Sequence, residues 1–128
     1  MSSFEVVRGE GIPQSHLPFS PAIHAGDFVF ISGQASVDDE GRIINDTFEE
    51  ECRRSFRNLG RILEGAGLSF RDVVQVRNYV GRQEDLADFN RIYREFFQEP
   101  FPARTTIIGC LGTMLKFEAD AVAYKPRS

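Results

Sequence analysis

A chain of 128 residues, 41% hydrophobic and 27% charged, has the size and balance of one globular domain, read here as spanning 1–128. Its net charge of −4 argues against broad electrostatic attraction to nucleic acid, and no apolar run approaches the length that crosses a bilayer. The opening Met1-Ser2-Ser3-Phe4-Glu5 lacks a basic region followed by an apolar run. Cys52 and Cys110 are far apart and in no CxxC spacing, so the expectation is a reducing, cytoplasmic setting with two free thiols.

Phe4-Glu5-Val6-Val7 alternates weakly and predicts a first strand. Gly9 to Pro21 holds two glycines and three prolines and reads as loop. Ala22 to His24, the turn Gly26-Asp27 and Phe28-Val29-Phe30-Ile31 form a hairpin signal whose second arm ends at Ser32-Gly33-Gln34. Phe28 and Phe30 share one face of that arm and Val29 and Ile31 the other, which predicts burial on both sides. A polar turn region, Asp38 to Asp46, precedes a helix. Thr47 with Glu50, or Asp46 with Glu49, makes a capping box. Phe48, Cys52, Phe56, Leu59, Leu63 and Ala66 form the apolar stripe, in which Cys52 reads as a small core residue, and Gly67 is the expected left-handed stop. Glu49, Glu50 and Glu51 crowd the first turn, ahead of Arg53, Arg54, Arg57 and Arg61. That order suits the helix dipole and predicts Glu49–Arg53 and Glu50–Arg54 pairs on a solvated face.

Val73 to Val80 predicts a strand with Val74, Val76, Asn78 and Val80 facing one way and Val73, Gln75, Arg77 and Tyr79 the other. A second helix is expected over Glu84 to Gln98, with Leu86, Phe89, Tyr93 and Phe96 or Phe97 on its buried stripe and Asn90 beside it. Glu99-Pro100-Phe101-Pro102 ends it. The run Thr105-Thr106-Ile107-Ile108 reads as a strand beginning near Arg104, and Leu115 to Tyr124 as another after the turn at Leu111-Gly112-Thr113. In the last strand Phe117, Ala119, Ala121 and Ala123 share one face; Glu118, Asp120, Val122 and Tyr124 share the other. The order predicts an α+β domain with two helices on one side of a mixed sheet. The uncovered face must be solvated or buried in an oligomer, with Val74, Val76 and Val80 expected against another subunit.

Arg104 carries the sharpest chemical signal. Its planar fork of donors fits a carboxylate in two parallel hydrogen bonds. Two readings stand: an internal ion pair, or an anchor for a small carboxylate ligand. A hairpin of the last two strands would bring Glu118 toward the level of Arg104. Ser32-Gly33 offers a hydroxyl and a close backbone approach to a ligand. His16 and His24 stand in no metal-binding context, the glycines form no phosphate loop, and no Ser/His/Asp arrangement is evident.

Several fragments in order carry a resemblance from about Phe19 onward: Pro18-Phe19-Ser20-Pro21-Ala22, Phe30-Ile31-Ser32-Gly33-Gln34, Leu63-Glu64-Gly65-Ala66-Gly67, Asp72-Val73-Val74, Asp88-Phe89-Asn90-Arg91-Ile92-Tyr93, Phe97, Pro102-Ala103-Arg104-Thr105 and Phe117-Glu118-Ala119. Together they resemble the RidA (YjgF) family. The resemblance implies a chorismate-mutase-like α+β fold, a homotrimer with ligand pockets at its subunit interfaces, and hydrolysis of reactive enamines and imines such as 2-aminoacrylate to 2-keto acids and ammonia. It implies no metal or organic cofactor. The family's anchoring arginine matches Arg104, its water-positioning glutamate Glu118, its strand-end serine Ser32, and a helix asparagine Asn90; Phe19, Gly33 and Thr106 complete the expected substrate contacts. Departures are Phe19 where enamine deaminases often have Tyr, Thr106 where Cys is frequent, Leu111-Gly112 where Leu-Pro is usual, and Glu51 where a glutamine is common. Phe19 can pack on a substrate but has no hydroxyl to bond it. Three function classes remain open at this point: an enamine or imine deaminase, a non-catalytic binder of a small carboxylate or a partner, and an RNA-acting translation inhibitor.

Overall fold

The computed structural model describes residues 3–12 and 15–126. Residues 1, 2, 127 and 128 lie outside it, as do positions 13 and 14 of the loop expected over Gly9 to Pro21. Six strands form one sheet: β1 (Phe4–Val6), β2 (Ala22–Ala25), β3 (Phe28–Ala35), β4 (Val73–Val80), β5 (Ala103–Ile108) and β6 (Phe117–Tyr124). Their order across the sheet is β1-β2-β3-β6-β4-β5, parallel between β4 and β5 and antiparallel elsewhere. Two helices, α1 (Phe48–Gly65) and α2 (Leu86–Phe96), cover one face. The fold is therefore the α+β class expected. None of the helices among the described residues is long and apolar enough to cross a membrane.

Local chemistry accounts for the helix ends. The Thr47 hydroxyl accepts a hydrogen bond from the Glu50 amide, as a capping residue should, and Gly67 takes a left-handed φ of 77° just past the C-terminus. The α2 segment starts later than its apolar spacing suggests. Gln83–Asp85 forms a 3-10 turn, and the α-helix begins at Leu86. Phe56 is at the centre of the core, with the rings of Tyr93, Phe96, Phe97 and Phe117 each within 6.0 Å of its own. Ala119, Ala121 and Ala123 are buried beneath α1 and its neighbours; their small side chains let the helices approach the sheet closely.

The last two strands do not form a hairpin. β4 lies between β5 and β6 and pairs with both, because the loop after β5 carries the chain past β4. Strand faces differ from the simple alternation too. The β4–β6 register slips between Val73 and Gln75, so Val73 turns inward and Val74 outward, the latter 43% exposed. Val76 and Val80 are fully buried in the chain's own core, not available to another subunit. β3 is buried on one side only: Val29 and Ile31 face the helices, while Phe28 and Phe30 remain 40% and 48% exposed on the uncovered face. Arg53 bridges α1 to α2 through two hydrogen bonds to Glu95, with Glu49 at 4.0 Å, and Arg54 turns to Asp46 and Ser36 rather than Glu50.

Glu51 departs furthest from its expected place on a solvated first turn. It is fully buried. Its carboxylate accepts the Lys116 and Asp46 backbone amides, each at 3.0 Å, and the Lys116 ammonium at 3.0 Å; that ammonium also reaches Asn45. One side chain thus ties α1 to the segment entering β6 and to the loop before α1. Glu51→Ala leaves two amides and an ammonium without this acceptor, and should lower the unfolding free energy by about 2–3 kcal/mol in chemical denaturation.

Candidate active site

Arg104 leaves β5 on the helix side of the sheet, since its register partner is the buried Val76. Its guanidinium is 5.0 Å from the ring centre of Phe89 and 4.8 Å from that of Tyr93, and its Nη2 donates to Asn90 Oδ1 at 2.8 Å. All three partners come from one stretch of α2, where Phe89, Asn90 and Tyr93 fall on adjacent turns. The rings and the amide set the orientation of the fork. No carboxylate among the described residues pairs with it, so an internal ion pair is not what Arg104 makes here. A cavity of about 250 Å³, lined by Asn90, Tyr93, Arg94, Phe101, Pro102 and Arg104, opens at this point. Thr106, two residues further on the same face, has a buried hydroxyl with no hydrogen-bond partner among the described residues. Burial pushes the Tyr93 phenol up to about 12, against a smaller opposing pull from Arg104, so it stays neutral.

Glu118 is on the other face of the sheet. Its register partner in β4 is Tyr79, and the Arg77–Asp120 and Tyr79–Asp120 contacts mark that side as the uncovered one. From Arg104 it is displaced by three residues and two strand spacings, roughly 10 Å along the strands and roughly 10 Å across. The two residues therefore do not meet within one chain. Glu118 makes no hydrogen bond or ion pair among the described residues. Burial, and then the nearby charge of Asp120, hold its carboxyl above the ordinary value of 4.5.

Ser32, Gly33 and Phe19 gather on the Glu118 side. The β3–β6 register slips between Ile31 and Gln34, so Ser32 and Gly33 form a bulge beside Glu118. A Cβ built on Gly33 would collide with Glu118 Oε2; glycine is what lets the carboxylate lie against this strand. The Ser32 hydroxyl donates to the Ser20 carbonyl at 2.6 Å, which spends its proton and leaves its lone pairs available. Phe19, 51% exposed, shares a cavity of about 230 Å³ with Leu17, Pro21, Gly33, Gln34 and Ile43. The seven expected site residues thus form two half-sites: Arg104, Asn90 and Thr106 on one face, and Glu118, Ser32, Gly33 and Phe19 toward the other. Phe89 and Tyr93, read from the sequence as core alone, are also the cradle of Arg104. Their spacing around Asn90 was the signal for it.

A cleft of about 580 Å³ between Phe70, Arg71, Phe96, Gln98 and Pro100 contains none of these residues. Burial pushes the Cys52 thiol well up, so it is inert core, and Cys110 is exposed in the loop after β5. No group of three or more metal-ligating side chains occurs among the described residues.

A family model described as Endoribonuclease L-PSP matches residues 10–125. The chain belongs to this family, the RidA (YjgF) family. A RutC family protein of Pyrococcus horikoshii is 37% identical over 123 residues, covering 94% of this chain and 98% of that one. A mouse protein named 2-iminobutanoate/2-iminopropanoate deaminase is 30% identical over 123 residues, covering 94% and 91%. Among solved structures, RidA of an Antarctic Psychrobacter is 27% identical with a TM-score of 0.85, covering 94% of this chain and 98% of that one.

The raised proton affinity of Glu118 has a thermodynamic sign. A carboxyl that binds its proton more tightly folded than unfolded weakens the fold as pH rises through the window above 4.5, where the unfolded chain has already released its proton. Glu118→Gln should therefore melt higher than the unsubstituted chain near neutral pH, and the difference should vanish below pH 4.5 in paired thermal melts. Gly33→Ala should displace the carboxylate and abolish that difference.

Proposed function

We propose that this RidA family member hydrolyses small enamines and imines bearing a carboxylate, of the 2-aminoacrylate type, to 2-keto acids and ammonia. The observation that carries the reading is an arginine fork held in place by Asn90, Phe89 and Tyr93 with no carboxylate partner among the described residues. The deaminase names of the mouse and other relatives support it. The net charge of −4 favours a small ligand over RNA.

The chemistry needs a held substrate, a placed water and a proton path. Arg104 binds the carboxylate; a guanidinium stays charged and is no base. Tautomerisation of the enamine gives an imine, whose carbon is electrophilic. Glu118 orients a water and takes its proton as the oxygen bonds to that carbon, giving a carbinolamine. That first proton passes to the nitrogen; the carbinolamine hydroxyl then gives its own proton, by way of Glu118, to the amine as the C–N bond breaks, and ammonia leaves with that bond's electron pair as the ketone forms. One water is consumed, and Glu118 ends in its starting state. In this reading Ser32 lone pairs and the Thr106 hydroxyl bond the substrate, and Phe19 packs on it.

Arg104 and Glu118 lie on opposite faces of one sheet, so this reading requires two copies, each giving one half-site. The exposed Phe28, Phe30, Val74 and Tyr124 on the uncovered face support an assembly, which we propose is a homotrimer. Arg104→Ala should lower kcat/KM for imine hydrolysis at least 100-fold, about 3 kcal/mol, and Arg104→Lys should not restore it. Mixing inactive Arg104→Ala with inactive Glu118→Gln, with subunit exchange, should return activity at about a quarter of the sites. No recovery after verified exchange would refute the shared site. Retained 2-keto acid binding by a protein that turns over no imine would favour a binding module instead.

A further inference from the structure

Beside Glu118 lies a charged cluster with no part in the proposed substrate contacts. Asp120 shares the uncovered face of β6 with Glu118, two residues on. Arg77 Nε donates to Asp120 Oδ1 at 2.8 Å, and the Tyr79 hydroxyl donates to Asp120 Oδ2 at 2.8 Å. Both carboxylate oxygens are thus fixed by β4, and Tyr79 is also the register partner of Glu118. The side chain of Asp120 is mostly buried, while that of Arg77 is 58% exposed. An ion pair wanted only for stability would gain little from a half-exposed arginine at a sheet surface. A tyrosine that must desolvate its hydroxyl to complete it adds a further cost.

Resting on the deaminase reading, we propose that Asp120 is a positioning residue for Glu118: held by Arg77 and Tyr79, it supplies the fixed negative charge against which Glu118 takes a proton from water and returns it to the substrate nitrogen. The groups facing Glu118 are few. β6 contributes Asp120, β4 contributes Tyr79 and the more distant Arg77, and β3 contributes the uncharged Ser32 and Gly33. Of these, Asp120 is the charge that acts directly on Glu118, in the same direction as burial. A free carboxylate at neutral pH is a weak base. One disfavoured by a neighbouring anion and by partial desolvation accepts a proton more readily. Arg77 then sets how much of the Asp120 charge Glu118 feels, and Tyr79 holds the second oxygen so that the charge does not rotate away. This makes Arg77 and Asp120 opposing controls on one base.

The test is the pH profile of kcat/KM for imine hydrolysis by the full chain and by Asp120→Asn and Arg77→Gln, with Glu118→Gln as the variant lacking the base. Activity requires ionised Glu118, so it falls as pH drops through that group's titration. Asp120→Asn removes the anion and should move this acid limb to lower pH by about half a unit or more; Arg77→Gln exposes the anion and should move it to higher pH. A purely structural cluster would lower kcat/KM without moving the limb. A limb unmoved in either variant, or moved the same way in both, overturns the proposal. Arg77 is mostly exposed, so Arg77→Gln carries the test if Asp120→Asn does not fold. Wild-type protein inactive on every imine would overturn the deaminase reading. A carbon-13 titration of the Glu118 carboxyl in the same variants then decides the coupling alone, with opposite shifts sustaining it and unmoved midpoints overturning it.

Discussion

Side chains alternate across a strand, and this alternation separates the chemistry of the chain into two halves. Arg104 shares a register level with Val76 and therefore points toward α2; Glu118 shares one with Tyr79 and therefore points away from both helices. Neither can cross the sheet. A one-residue slip of β5 or β6 would reverse the affected strand and bury its charged face. The alanine face of β6 resists such a slip, because Ala119, Ala121 and Ala123 fill the narrow space beneath the helices and Glu118 or Asp120 would not. Core packing thus fixes which way each candidate site residue faces.

The two halves are held by different means. On the helix side, aromatic rings and an amide orient a cation that remains accessible, and their partners belong to the same core that holds the sheet to α2. The arginine is thus coupled to the most buried part of the molecule. On the open side, a bulge removes regular pairing and Gly33 removes a side chain, so that a carboxylate lies against backbone with no hydrogen-bonding partner among the described residues. Glu118 is destabilising there in the folded chain. A group kept where it weakens the fold is characteristic of sites shaped by chemistry.

Glu51 shows the contrasting case. It is more deeply buried than Glu118, yet its oxygens accept three donors, and it ties three segments together. Burial alone does not distinguish a structural carboxylate from a reactive one; the count of satisfied lone pairs does.

Element identity was largely legible in the sequence. The β3, β4 and β6 runs, the Thr47 cap and apolar stripe of α1, the stop at Gly67 and the single helix layer all follow from local periodicity and end chemistry. The expected capping box is only half formed, since the Thr47 amide donates to Asp46 rather than to Glu50. The family fragments pointed to the residues of both half-sites. Faces and neighbours were less legible. The bulge at Val74 inverts part of β4, Val76 and Val80 join the chain's own core, and Glu51 leaves the surface for a buried network. The largest difference is the insertion of β4 between β5 and β6, which replaces the expected hairpin and keeps Arg104 and Glu118 two strand spacings apart. Local sequence determines which residues form a strand and which of them alternate, because those are properties of a few neighbouring dihedral angles. It does not determine which strand lies next to which, or where a bulge resets the alternation. Those depend on how the helices and the alanine face pack together, and only the tertiary structure decided them.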